Sequence, residues 1–325
     1  MIVSTEKINR LSENLRSADV NRRRVALAEL EENLEIVPAE LLIPLLRDED
    51  SAVRRLTVQL LEEIGDVAAI TGLIHVTADS ANDVATLAAN ALREFRQNDA
   101  VPFLVDGLRH TKPEARAAVL IALREHKDNR GAAAVANAVR DSSADVRREA
   151  VVTLTYQRDL ESLPILVAAL RDESSAVRRV AVGAVAVFAQ PSSIPDLVQS
   201  LADVDWQVRR EAAIALGKLS GDATIAALLK ALKDERWQVA KEALASLGRL
   251  HAPTAEAIAP FTQHEIADVR IAAAGALAET SDAGAEFPLR ALLSDVDTGV
   301  QKAAQRALAQ LSSRRNWSVS REQLR

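Results

Sequence analysis

The sequence predicts an all-α, right-handed solenoid of about ten two-helix repeats, and three observations carry that expectation. A valine–arginine pair returns at multiples of 31 residues, as Val53-Arg54, Val146-Arg147, Val177-Arg178 and Val208-Arg209, then after one 30-residue step as Val269-Arg270. Apolar residues on either side of each pair fall at helical spacing. An aspartate stands six positions before the arginine in most copies. Degenerate copies at Arg22-Arg23, Val84-Ala85, Ala115-Arg116, Val239-Ala240 and Val300-Gln301 fill the gaps, so the repeat tiles the chain to about residue 311. A fixed period of this size means stacked units, each unable to bury its own apolar face.

Within a repeat the first helix comes first. Counted from Val177 as zero, Leu163, Leu166, Val167 and Leu170 occupy −14, −11, −10 and −7, one stripe along a helix. The polar stretch RDESSA follows, a turn whose Asp or Ser suits the cap of the next helix. Val177, Ala181, Val182, Val185 and Phe188 then sit at 0, +4, +5, +8 and +11, the stripe of the second helix. The fourth, seventh and eighth repeats keep these offsets, for example with Val208, Ala212, Leu216 and Leu219. Small residues at +4 and +7, such as Ala181, Ala184, Ala212 and Ala215, allow neighbouring helices to approach closely.

A polar column accompanies the apolar one. Asp fills −5 at positions 48, 79, 141, 172, 203, 234 and 295, and Arg fills +1 at 54, 116, 147, 178, 209 and 270. This spacing allows each guanidinium to bridge carboxylates of its own and the adjacent unit. Proline precedes the −5 position by eight residues in Pro102, Pro164 and Pro195, marking the early part of the first helix. The ladder breaks at Ser17/Arg23, Asp79/Ala85, His110/Arg116, Asp234/Ala240, His264/Arg270 and Asp295/Gln301.

Proline, aspartate eight on and arginine six further form a signature that resembles HEAT repeats, over almost the whole chain. The short period, with phrases such as VRREAAIALGKL at 208–219, is similar to the variant also found in phycobilisome lyase subunits and many bacterial scaffold proteins. The usual HEAT period is longer, roughly 40–47 residues. The resemblance implies that the second helices line a concave surface.

Composition narrows the function classes. Hydrophobic residues make up 48% of the 325 residues but aromatics only 3%, which suits thin layers of Ala, Leu, Val and Ile. The chain has no cysteine, which excludes disulfides, thiolate metal ligands and thioether attachment of a chromophore. No apolar run is long enough for a membrane span, and MIVSTEKINRL does not read as a signal peptide. A cytoplasmic protein without membrane contact is expected. Net charge is −6; residues 312–325 contribute +3, leaving about −9 for the body, which disfavours general binding to nucleic-acid backbones.

No chemistry-bearing constellation stands out. His75, His110, His126, His251 and His264 lack ligand spacing. Deoxyhypusine hydroxylase, a related HEAT-type metalloenzyme, holds iron with His-Glu pairs on its second helices. The matching positions here read Arg148-Glu149, Arg210-Glu211 and Lys241-Glu242, and cations there oppose metal binding. The expectation is a non-enzyme with no cofactor and no metal.

The candidate site follows from the helical wheel. At 100° per residue, +2, +6 and +9 of the second helix oppose the buried stripe. In the fifth to eighth repeats, +2 holds Arg148, Arg179, Arg210 and Lys241, a row of cations. Position +6 holds Val152, Gly183, Ile214 and Ala245, and +9 holds Thr155, Ala186, Gly217 and Gly248, a smooth floor. Trp206 and Trp237 share offset −2 as an aromatic edge, weighed against rings that merely cover their own turns. These residues point to a scaffold, adaptor or assembly factor binding an acidic or amphipathic protein segment. A bilin lyase or cofactor-maturation subunit is the alternative, and nucleic-acid binding a third class. Residues 1–311 are expected to form one solenoid and 312–325, with Trp317, a disordered basic tail.

Overall fold

The structure, a computed structural model, describes residues 5–31, 37–126, 129–280 and 282–322. It divides into two compact units, residues 1–165 and 166–325. No strand occurs among the described residues. In the first unit the helices pair as α1 (Thr5–Leu15) with α2 (Val20–Glu31), α3 (Ala39–Leu42) with α4 (Ser51–Ile64), α5 (Ile70–Val76) with α6 (Asn82–Leu92), α7 (Val101–Gly107) with α8 (Pro113–Ala122), and α9 (Asn129–Ala138) with α10 (Ala144–Gln157). The unit boundary falls within α11 (Leu163–Ala169), which precedes α12 (Ser175–Phe188). The remaining pairs are α13 (Ile194–Ser200) with α14 (Trp206–Leu216), α15 (Asp222–Ala231) with α16 (Trp237–Arg249), α17 (Ala255–Ile258) with α18 (Ala267–Glu279), and α19 (Glu286–Ala291) with α20 (Thr298–Glu322).

Burial follows the repeat offsets. Position 0 is excluded from solvent at Val53, Val84, Ala115, Val146, Val177, Val208, Val239, Val269 and Val300. So is +4, from Thr57 and Ala88 through Ala212 and Ala243 to Ala304. Second helices pack on second helices: α2, α4, α6, α8 and α10 in series in the first unit, and α12, α14, α16, α18 and α20 in the second. This is an α-solenoid, in which each helix pair finishes the core of its neighbour.

Small side chains set the spacing of this seam. A Cβ on Gly217 would lie 2.4 Å from the Ser246 hydroxyl oxygen, and one on Gly248 would lie 3.0 Å from the Ala276 Cα. Both glycines are buried, as is Ala186. The +9 positions therefore sit between helices, not on the open floor that the wheel gave them. The exposed edge runs through −1, +2, +6 and +10, where Val187, Lys218 and Arg249 stand open to solvent. Side chains also close the seam with hydrogen bonds: the Thr153 hydroxyl donates to the Leu120 carbonyl (2.9 Å) and the Ser246 hydroxyl to the Ala213 carbonyl (2.8 Å).

Of the two carboxylates expected for each arginine, the column uses the one on the adjacent unit. Guanidiniums of the column reach forward to the −5 aspartate of the next repeat, 25 residues on, through two hydrogen bonds. Arg54 meets Asp79 at 2.6 and 2.7 Å, Arg116 meets Asp141 at 2.7 and 2.7 Å, and Arg178 meets Asp203 at 2.6 and 2.8 Å. Arg209–Asp234 and Arg270–Asp295 repeat the geometry, and Arg23 bonds Asp48 through Nη2 at 2.9 Å. Towards its own turn the arginine uses a backbone carbonyl, not a carboxylate: Arg54 donates to the Asp48 carbonyl at 2.8 Å and Arg209 to the Asp203 carbonyl at 2.9 Å. The aspartate Oδ1 in turn accepts the N–H two residues on, as at Asp141–Ser143 and Asp172–Ser174. Asp172 thereby orders the turn, while Ser174 stands at the N-cap with no side-chain cap bond.

Once the carbonyl is known to be the local partner, several apparent breaks close. Arg23, Arg116 and Arg270 bond the carbonyls of Ser17, His110 and His264 at 2.8 Å each, so the side chain at −5 does not matter to its own arginine. The true gaps are Ala85 facing His110 and Ala240 facing His264, where both members of a rung are replaced. Each histidine keeps the turn bond of the aspartate: His110 Nδ1 accepts the Lys112 N–H and His264 Nδ1 the Ile266 N–H. Gln301, in the last repeat, still donates to the Asp295 carbonyl at 2.6 Å.

Burial alone would raise the Asp79, Asp141, Asp203 and Asp234 carboxyls; the arginine hydrogen bonds, the turn N–H and the opposite charge outweigh it and hold all four below the ordinary range. At Asp295 the Arg270 hydrogen bond is the largest cause of the same shift. Beyond the repeat pattern, α20 continues through residues 312–322. Arg314 fastens it, donating to the Ala278 carbonyl and pairing with Glu279. The Trp317 side chain lies outside the described residues.

Three outcomes are expected. Gly217→Val should lower stability by about 1–3 kcal/mol through overpacking, and an unchanged urea midpoint would show that the seam yields freely. Ala85→Arg combined with His110→Asp should rebuild a rung and gain about 1 kcal/mol beyond the sum of the single changes; additive thermal melts would contradict this pairing. Because the ladder carboxyls titrate lower when folded, their contribution is complete above the unfolded aspartate pKa of about 3.9 and fades as pH falls through the depressed folded values. The melting temperature should therefore drop progressively below about pH 4, and Asp234→Asn should blunt that drop.

Candidate partner-binding face

The second helices position every residue of the candidate site, because their apolar stripes are fixed against the seam and their opposite edges face outward. In the second unit Arg179 is exposed on α12, and among the described residues no carboxylate pairs with it. The other cations of the row are engaged. Arg210 on α14 meets Glu242 on α16 at 3.4 Å, and Lys241 on α16 meets Asp268 on α18 at 2.6 Å. In the first unit Arg148 meets Asp145 at 3.1 Å and Glu149 at 3.3 Å. A +2 cation thus faces the +3 or −1 carboxylate of the following repeat, or a carboxylate of its own helix. The row is largely neutralised in place.

The tryptophans open their helices. Trp206 follows the N-cap Asp205, whose side chain accepts the Gln207 N–H at 2.8 Å, and Trp237 follows Arg236. That backbone bond is the main cause holding the Asp205 carboxyl below its ordinary range. Both rings are half-buried, and they make no ring contact with each other. Trp237 does gather a cation: the Lys241 Nζ lies 5.8 Å from its centroid. Ile214 is half-buried on the same helix as Arg210.

Lys218 was missed from the sequence. It is exposed at +10 on the edge that the wheel assigned to +9, and no carboxylate pairs with it among the described residues. The one-residue error arose because close helix approach turns the small +9 residues into the seam. Val187 and Ile271 are exposed apolar residues on second helices of the same unit.

The histidines do not form a ligand set. No group of three or more His, Cys, Asp or Glu able to hold a metal occurs among the described residues. His75 Nδ1 and His110 Nε2 lie 3.2 Å apart, and buried His126 bonds the Phe95 carbonyl at 3.0 Å. No described helix is long and apolar enough to cross a membrane.

Comparison with known proteins agrees with this architecture. The family model for HEAT repeats matches residues 76–154, 132–217 and 194–264, together more than half of the chain. Among solved structures, importin beta in an ammonium sulfate condition aligns with a TM-score of 0.60 at 14% identity, over 94% of this chain and 55% of that one. A complex of Kap95p with RanGDP gives 0.58 at 15% identity, over 96% and 56%. The Escherichia coli protein YibA gives 0.53 at 18% identity, over 91% and 98%. These identities speak for the fold alone. No curated protein sequence matches the chain. The match does not single out the phycobilisome lyase-type variant. With the helix pairs, the seam and the ladder in register, the chain belongs to the HEAT-repeat family, whose solenoids are generally non-catalytic scaffolds for other proteins.

Proposed function

We propose that this protein is a non-catalytic scaffold or assembly factor that holds an acidic or amphipathic protein segment against the exposed edge of its second helices in residues 166–325. Arg179, Arg210, Lys241, Trp206, Trp237 and Ile214 form the contact. The observation that carries the reading is Arg179, exposed and without a carboxylate partner among the described residues, on a helix whose neighbour presents Arg210 and Ile214. A client carboxylate would gain a two-pronged partner there without displacing one. At Arg210 and Lys241 it would have to exchange with Glu242 and Asp268, which favours a segment with apolar as well as acidic side chains. Arg148 lies in the other unit and is left out of this contact.

The lyase-type role rests on the 31-residue period alone, and a coloured product on co-expression with a bilin and its acceptor would promote it. For the scaffold reading, an amphipathic leucine–glutamate peptide is a direct probe. Arg179→Glu should weaken its binding about tenfold, and Trp237→Ala by a similar factor, with Arg148→Glu near neutral. Equal affinities for the parent and Arg179→Glu proteins would refute the site.

A further inference from the structure

The charge of this protein is not spread evenly. Residues 1–165 carry 21 Lys and Arg against 27 Asp and Glu, whereas residues 166–325 carry 19 of each, so the whole net charge of −6 lies in the first unit. Part of it gathers at a cleft of about 410 Å³ between α2 and α4. Leu27, Leu56 and Leu60 form its apolar wall, and Glu31, Glu62 and Glu63 its rim. Among the described residues no cation pairs with these three glutamates.

We infer that this cleft is a docking site for a basic amphipathic segment of a partner protein. Lysine or arginine side chains would lay their aliphatic stems against Leu56 and its neighbours and place their charges among Glu31, Glu62 and Glu63. The occupant is fixed by two features together. Leucine walls favour a side chain with an apolar stem, and uncompensated carboxylates favour a cation at its end. A compact metal ion fits less well, because no group of three ligands converges among the described residues. The Glu62 carboxyl is pushed above its ordinary range chiefly by burial and then by the charge of nearby Glu94, and a cation brought beside it would oppose both effects. This site differs in place and in sign from the one around Arg179, and it does not depend on it.

The test uses the full chain and a fluorescein-labelled amphipathic peptide of leucine and lysine, followed by anisotropy. Glu62→Gln with Glu63→Gln should weaken binding about tenfold. Glu40→Gln with Glu161→Gln, the same loss of charge at exposed sites elsewhere in the unit, should leave it within about twofold, and so should Arg179→Glu. A lysine–glycine peptide of equal charge should bind more weakly than the leucine–lysine peptide. The inference fails if the parent protein does not bind the peptide, if the control pair weakens binding as much as the cleft pair, or if the lysine–glycine peptide binds equally well. Melting temperatures for each variant confirm that losses are not unfolding, and Glu62→Gln should not lower that temperature because burial already disfavours the charged carboxylate.

Discussion

The forward-reaching arginine is the interaction on which the regularity of this molecule depends. One guanidinium holds the carbonyls of its own inter-helix turn and, through two parallel bonds, the aspartate of the next turn. That aspartate also accepts an N–H of its own turn. A single side chain therefore fixes the conformation of one turn and the offset of the following one. The pairs are shielded, with Arg209 11% and Asp234 10% exposed, so the geometry is constrained more tightly than in a surface ion pair. Hydrophobic burial supplies the bulk of the stability, but it is non-directional. The ladder supplies register.

The fold was legible because its determinants are periodic and local. Offsets 0 and +4 are buried repeat after repeat, from Val53 and Thr57 to Val300 and Ala304, and a wheel drawn on one unit predicts all of them. What the wheel missed came from contact between units. It placed Gly217 and Gly248 on an open floor, yet their neighbours Ser246 and Ala276 come so close that a methyl group would not fit unchanged. It let Arg54 reach the carboxylate of Asp48, six residues away, as well as one in the adjacent unit, when Asp48 offers its carbonyl and the carboxylate that answers is Asp79. It also counted His110 and His264 as separate defects from Ala85 and Ala240.

The candidate site was legible in part for the same reason. The outward offset of Arg179 and Arg210 follows from helical geometry alone, whereas their charge state in context does not. Glu242 and Asp268 belong to other repeats, and whether they reach Arg210 and Lys241 depends on the spacing of neighbouring helices. The two units consequently differ in the chemistry they offer. One presents an open guanidinium beside apolar surface, and the other a leucine-walled cleft rimmed by carboxylates. A scaffold with two such faces could discriminate between client segments by sign of charge while using one repeated backbone for both.

The rungless joints also have a mechanical meaning. At Ala85/His110 and Ala240/His264 the two-pronged arginine clamp is missing; the second joint keeps a single-pronged tie in its place, Lys241 to Asp268 at 2.6 Å, and such a tie constrains direction less than a two-pronged pair. Resistance to bending is thus graded along each unit, with a compliant joint set among stiffer ones. Each stack of repeats can therefore flex at a preset place while the rest keeps its pitch.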